Sequence, residues 1–126
     1  YLLQLENQKY CIVHSLDGYD EISGTSEFKV YTQDGEQIVS PAEFNLPMIS
    51  EESLFGGNTV QDAAKIFTNV IQNLGTREQT EVLALNSAYA MHCYTNRSVN
   101  ACLAEAREAI VSKKVHQLFT GLINNQ

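Results

Sequence analysis

The chain has 126 residues, 44% of them hydrophobic, and eight basic against fifteen acidic side chains leave a net charge of −7. That length supports one domain with a modest core, since chains of this size bury roughly two-thirds of their unfolded surface. No Lys/Arg stripe offers a nucleic-acid surface, no apolar run approaches the roughly 20 residues of a membrane span, and no basic segment precedes an apolar one as in a secretory leader.

Taken in order, Tyr1-Leu-Leu-Gln-Leu5 reads as the last turns of a helix. Tyr10 to Val13 is a short, continuous run rich in β-branched and aromatic residues, the pattern of a strand covered on both faces. Gly18 ends it in a turn that carries Asp17, Asp20 and Glu21. In open α/β sheets ligands bind beyond the carboxyl ends of the strands, so these side chains are candidates for a hard cation with its phosphate ligand. Neighbours in an extended strand point to opposite faces. Asp20 and Glu21 can therefore share one ion only if the backbone turns there, as Gly18 allows. Acidic residues in a glycine turn also commonly cap the next element and face water, and spacing alone does not choose between the two readings.

Phe28 to Thr32 and Glu36 to Ser40 flank Gln33-Asp34-Gly35, which predicts an antiparallel hairpin ended by Pro41. Asn45 to Asn58 reads as a connecting loop. Its Gly56-Gly57 either makes a sharp entry into the next helix or presents free backbone N–H groups to a phosphate. Val60, Ala63, Ala64, Phe67, Val70, Ile71 and Leu74 then fall on one helical stripe, with Thr59 and Asp62 as a capping box and Gly75 as the stop. Thr76 and Gln79 open a second helix. Its segment Val82 to Tyr94 is apolar nearly all round, as expected of the central packing helix. Asn86 interrupts that face, and a buried asparagine must be hydrogen-bonded, so it is expected to tie the helix to a neighbouring loop. His92 and Tyr94 are read in the same structural way. Ser98 caps a third helix with the stripe Val99, Cys102, Leu103, Ala106 and Ile110 and a solvated face of Glu105, Arg107 and Glu108. A fourth amphipathic stripe runs from Val115 to Ile123. Cys11, Cys93 and Cys102 are odd in number, lack Cys-x-x-Cys spacing, and are expected to be reduced and buried.

Several of these segments, in order, resemble anthranilate phosphoribosyltransferase. Val13-His-Ser-Leu-Asp-Gly-Tyr-Asp-Glu-Ile-Ser23 is similar to that family's Val-His-Gly-x-x-Gly-x-Asp-Glu-x-Ser segment. Phe28-Lys-Val-Tyr31, Ser40-Pro-Ala-Glu-Phe44, Gly56-Gly57 with Asp62-Ala-Ala64, Leu85-Asn-Ser-Ala88 and Ala104-Glu-Ala-Arg-Glu-Ala-Ile110 continue the resemblance. It implies an α/β fold, here the C-terminal part of a larger α/β domain. Residues 1–126 would form a single partial domain, a small mixed sheet of strand plus hairpin packed by three to four helices. The family's Gly-Thr-Gly-Gly-Asp loop and the residues that hold its aromatic acceptor do not occur in the sequence, so the chain alone is expected to be inactive. The activity implied for the parent is transfer of phosphoribosyl from phosphoribosyl pyrophosphate to anthranilate, with release of pyrophosphate, in tryptophan biosynthesis. The resemblance further implies Mg²⁺ as cofactor, Asp20 and Glu21 as its ligands, and a cytoplasmic homodimeric parent. Asp17 has no counterpart and stays outside the metal set. His14 aligns with the family's histidine and either contacts substrate or hydrogen-bonds backbone.

Three departures bear on what the resemblance implies. Ser15 stands where the family favours glycine, Gly24-Thr-Ser26 replaces the usual Leu-Thr-Gly, and Lys113-Lys114 lacks the family's glycine, so the last two helices are expected to be able to merge. Two other readings keep the fold: another superfamily member, such as a pyrimidine nucleoside phosphorylase or a non-catalytic relative, or a non-enzymatic module that assembles with a missing part or with itself.

Overall fold

The structure, a computed structural model, describes residues 9–125. The helix remnant expected at residues 1–5 lies outside the described residues. Three strands, β1 (Cys11–Ser15), β2 (Phe28–Thr32) and β3 (Gly35–Val39), form one sheet in the order β1-β2-β3. Cys11 pairs with Thr32 and Ser15 with Phe28, and Phe28 pairs in turn with Val39 and Thr32 with Gly35. The α/β class holds, but every pairing among the described residues is antiparallel where a mixed sheet was expected. The reason is connectivity. A parallel pair needs a long crossover, usually a helix, and the helical pattern starts only after the last strand.

β1 departs from the sequence reading as well. Cys11, Val13 and Ser15 face inward while Ile12 and His14 are exposed, so the strand is covered on one face only. Ile12 shares the open face with Tyr31 and Ile38, the last 55% exposed. The hairpin forms as predicted, with Gln33-Asp34 as its two turn residues and Gly35 already the first residue of β3.

Beneath the inner face lies the core. Phe28, Val30 and Val39 pack on α2 (Arg77–Thr95), whose Ala84, Leu85, Ala88 and Tyr89 are buried. The Tyr89 ring meets Phe28 and Phe44 edge-on at centroid distances of 5.5 and 6.2 Å. On its other side α2 receives Cys102, Leu103, Ala106 and Ile110 of α3 (Val99–Val111), which makes it the central helix the sequence predicts. Arg107 does more than face water: its guanidinium reaches Glu81 of α2 through Nε at 2.9 Å and Nη2 at 2.8 Å. Cys102 is buried, whereas Cys11 and Cys93 are only half-buried, and all three are free thiols. Tyr94, at the end of α2, is 86% exposed instead of structural, while His92 Nδ1 lies 2.6 Å from Arg97 O.

The predicted caps form at Thr59, Thr76 and Ser98. Two helix ends differ. α1 (Val60–Ile71) stops before Gly75 because Asn73 adopts φ 60° and lets the Leu74 N–H return to Asn69 O at 2.7 Å, which leaves Leu74 outside the helix. α3 and α4 (Lys114–Asn124) do not merge, since Lys113 takes the left-handed conformation at φ 60° that the family's glycine would supply. α4 touches α1 through an edge-on Phe67–Phe119 pair at 5.0 Å, and its Leu118 and Leu122 are exposed. No helix among the described residues is long and apolar enough to cross a membrane.

Candidate functional site

The carboxylate-bearing segment leaves β1 at Ser15 and folds back on it. Ser15 N–H donates to Tyr19 O at 2.9 Å, Gly18 N–H donates to Ser15 O at 3.1 Å, and Gly18 adopts φ 103°, which a side chain would resist. Leu16 N–H meanwhile donates to Glu27 O at 2.9 Å, so both ends of the excursion are pinned to the mouth of the β1-β2 pair. Here the backbone does turn between Asp20 and Glu21, as a shared ion requires.

Asn86 supplies the second restraint. From α2 its Oδ1 accepts the Ile22 N–H at 3.0 Å, and its Nδ2 donates to Ile22 O at 2.8 Å and to Val82 O at 2.9 Å. Ile22 is fully buried, so this clasp satisfies its backbone where water is absent. The tie to a loop expected of Asn86 is therefore a tie to the residue that follows the acidic pair.

Ser15 supplies the third, with a side chain that a glycine would lack. Its buried Oγ donates to Glu21 O at 2.7 Å and accepts from the Ser23 N–H and the Ser23 hydroxyl, both at 3.0 Å. Ser23 Oγ lies 2.7 Å from Thr25 Oγ1, which donates to the Asp17 carboxylate. That hydrogen bond from Thr25 is the main cause holding the Asp17 carboxyl below its ordinary value of 3.8, with the Ser26 and Ser23 hydroxyls adding to it. Gly24, at φ 76°, packs against Ile49 and Val82, and its carbonyl accepts the Ile49 N–H at 3.0 Å. The departures Ser15 and Gly24-Thr-Ser26 thus form the inner wall of the turn.

The candidate residues separate as follows. Asp20 and Glu21 are adjacent and exposed. Glu21 lines a cleft of about 450 Å³ together with Tyr19, Ser23, Phe67, Val82 and Asn86, and Asp20 sits outside that lining. Asp17 is engaged by Thr25 on the other side of the turn. His14 is exposed on the open face of the sheet, opposite Lys29 in register, and makes no side-chain hydrogen bond among the described residues.

Among the described residues no group of three or more His, Cys, Asp or Glu side chains is placed to hold a metal ion. Two neighbouring carboxylates open to solvent are nevertheless the donor set that suits Mg²⁺, which takes one or two carboxylates and completes its shell with water and phosphate oxygens. A closed zinc site, by contrast, needs four protein donors. Of the two readings of Gly56-Gly57 the structure favours the sharp entry. The Asn58 and Thr59 N–H groups donate to Asp62 Oδ2 at 3.2 and 3.1 Å, so an internal carboxylate already occupies the place of a phosphate. A Cβ on Gly57 would stand 2.3 Å from Asp62 Cβ.

The sequence placed the acidic pair in a turn and gave Asn86 its tie to a loop, but it did not join Ser15, Ser23 and Thr25 as one unit. A cluster of hydroxyl residues at Ser23-Gly-Thr-Ser26 was the available signal, though nothing in the spacing joins it to Ser15.

A family model described as "Glycosyl transferase family, a/b domain" matches residues 1–115. Curated relatives include the anthranilate phosphoribosyltransferase of Phocaeicola vulgatus, 42% identical over 106 residues that make up 83% of this chain and 32% of that protein. The enzyme of the same name from Bacteroides thetaiotaomicron is 41% identical over 113 residues, 89% of this chain and 34% of that one. The chain spans about a third of the length of the curated relatives it matches. Among solved structures, anthranilate phosphoribosyltransferase from Thermus thermophilus superposes with a TM-score of 0.76 at 23% identity, over 87% of this chain and 33% of that one. The Saccharomyces cerevisiae enzyme in complex with 4-fluoroanthranilate gives 0.74 at 15% identity, over the same shares. At these identities the structural likeness establishes the fold.

Proposed function

This chain belongs to the glycosyl transferase family, a/b domain, and on that premise we propose that it is one part of an enzyme that transfers phosphoribosyl from phosphoribosyl pyrophosphate to anthranilate and releases pyrophosphate. The 126 residues form a single partial domain of that parent, which works in the cytoplasm as a homodimer in tryptophan biosynthesis. The observation that carries this reading is the acidic turn. Its backbone is fastened by Asn86 and Ser15, while the Asp20 and Glu21 side chains stay free at its rim.

Cleaving the bond between sugar and diphosphate builds negative charge on the departing oxygens, and stabilising that charge with groups already in place is the largest single aid to such a step. Asp20 and Glu21 would hold Mg²⁺, which when bound supplies that positive charge. The two carboxylates repel the polyanionic donor by themselves, so their role is to fix the cation. The turn's restraints hold in place the backbone from which the two carboxylates project. His14, near the end of β1, would contact the substrate from the open face of the sheet.

In the parent enzyme Asp20→Asn combined with Glu21→Gln is expected to lower the rate by about 10²-fold or more, the scale on which one electrostatic stabiliser acts, with an unchanged melting temperature. Wild-type rates in the double variant at low magnesium would refute the metal assignment. The 126-residue chain alone is expected to show no turnover of phosphoribosyl pyrophosphate and anthranilate, because its sequence holds no phosphate-cradling glycine loop for the donor. Detectable phosphoribosyl-anthranilate formation would contradict that.

A further inference from the structure

Behind the acidic pair, three hydroxyls and a carboxylate lie in one continuous row. Glu21 O, Ser15 Oγ, Ser23 Oγ, Thr25 Oγ1 and Asp17 Oδ2 follow one another, with separations of 2.7, 3.0 and 2.7 Å up to the final contact between Thr25 and Asp17. Each hydroxyl carries one proton to donate. Ser15 gives its proton to Glu21 O. Ser23 has one for Ser15 or Thr25, and Thr25 has one for Ser23 or Asp17. Three protons thus serve four links: an ionised Asp17 only accepts and draws the Thr25 proton to itself, which leaves the single Ser23 proton shared between its contacts with Ser15 and Thr25. Ser15 is 0% and Ser23 3% exposed, so bulk water is not there to replace a missing link.

The row ends on a particular peptide. Glu21 C=O and Ile22 N–H belong to the same planar unit and point to opposite sides of it. Ser15 Oγ holds the carbonyl and Asn86 Oδ1 holds the N–H. With both ends gripped, the peptide is held against rotation, which fixes the backbone from which the Glu21 side chain projects.

We infer that the Ser15–Ser23–Thr25 row, anchored by Asp17, is the positioning device of the acidic pair, an inference that rests on the metal-binding reading above. Ser15, Ser23 and Thr25 are positioning residues in this account, and Asp17 orients hydroxyls in place of ligating an ion. This gives a role to the one carboxylate of the turn that has no counterpart in the family motif.

Thr25→Val tests the inference, since it removes a hydroxyl at nearly constant shape two links away from Glu21. In the isotope-labelled 126-residue chain the Glu21 carbonyl-carbon resonance is expected to move. Exchange of the Ser23 amide, which Ser15 Oγ accepts, is expected to speed up by about 3- to 10-fold, the equivalent of one weakened hydrogen bond. Thr25→Ser, which keeps the hydroxyl, is expected to restore both signals, a rescue that a packing role for the threonine methyl would not produce. If Thr25→Val leaves the Glu21 carbonyl resonance and the Ser23 exchange rate at their wild-type values, the positioning role is overturned. The metal reading fails separately: should the parent enzyme keep its rate with Asp20→Asn and Glu21→Gln while Thr25→Val still moves the Glu21 carbonyl, the ion is bound elsewhere and the row still positions the turn.

Discussion

Asn86 makes three hydrogen bonds with one amide, two of them to the backbone of a fully buried residue. Asn86→Ala leaves Ile22 with an unmatched donor and acceptor, and the expected loss is about 2 kcal/mol of stability in urea titration. Asn86→Asp keeps the acceptor for the Ile22 N–H but turns the donor into a second acceptor facing Ile22 O, so it is expected to be at least as damaging at neutral pH. A variant that unfolds at the wild-type urea midpoint would show that the clasp contributes nothing. At this scale the sequence was informative wherever a polar residue broke an apolar pattern, which is why Asn86 stood out. It was silent on Ser15, because a serine in place of a glycine reads as a loss of backbone freedom and gives no hint of a new hydrogen-bonding group.

Among the elements, the helix boundaries carry the most local chemistry. The capping boxes at Thr59–Asp62 and Thr76–Gln79 formed as their spacing predicts, because each needs only side chains three residues apart. Helix ends were less legible. Asn73 and Lys113 both occupy left-handed positions that glycine most often fills, where local helix-end hydrogen bonds form, Leu74 N–H to Asn69 O and Lys113 N–H to Ile110 O. Lys113→Gly removes that strain at the cost of a more flexible unfolded chain, and a net gain of about 0.5 kcal/mol is expected from thermal unfolding. A loss would mean that the lysine side chain contributes more than its backbone costs. The α1 entry also predicts a pH dependence. The Thr59 hydroxyl, followed by the Asn58 N–H, holds the Asp62 carboxyl below its ordinary value of 3.8. A carboxyl whose folded value is depressed lends stability above the unfolded value, and that stability fades as pH falls from 3.8 through the folded value. Asp62→Asn is expected to flatten the acid limb of the stability curve in that window while leaving the neutral plateau lower. An unchanged acid limb would remove Asp62 from the account.

For the molecule as a whole, the order of strand, hairpin and helices was legible because each element's period and punctuation are local. The sheet's orientation and the open face of β1 were not. A continuous apolar run such as Tyr10 to Val13 reads as buried on both sides whether or not a second layer is present among the described residues. The acidic pair could be placed at a turn, yet the backbone there is held by Asn86, which approaches from α2, and by the Ser15 hydroxyl, and neither leaves a mark in the spacing of Asp20 and Glu21. The assembled structure presents a hydrogen-bonded turn with two free carboxylates, and the proposed function requires that this turn take a divalent ion together with a diphosphate. The direct measurement is paramagnetic broadening of amide signals in the 126-residue chain by Mn²⁺ with inorganic pyrophosphate. The Asp20, Glu21 and Ile22 signals are expected to be lost first, and all three to be retained in the Asp20→Asn, Glu21→Gln variant. Broadening centred on Glu51 and Glu52, or a pattern identical in wild type and double variant, would contradict it.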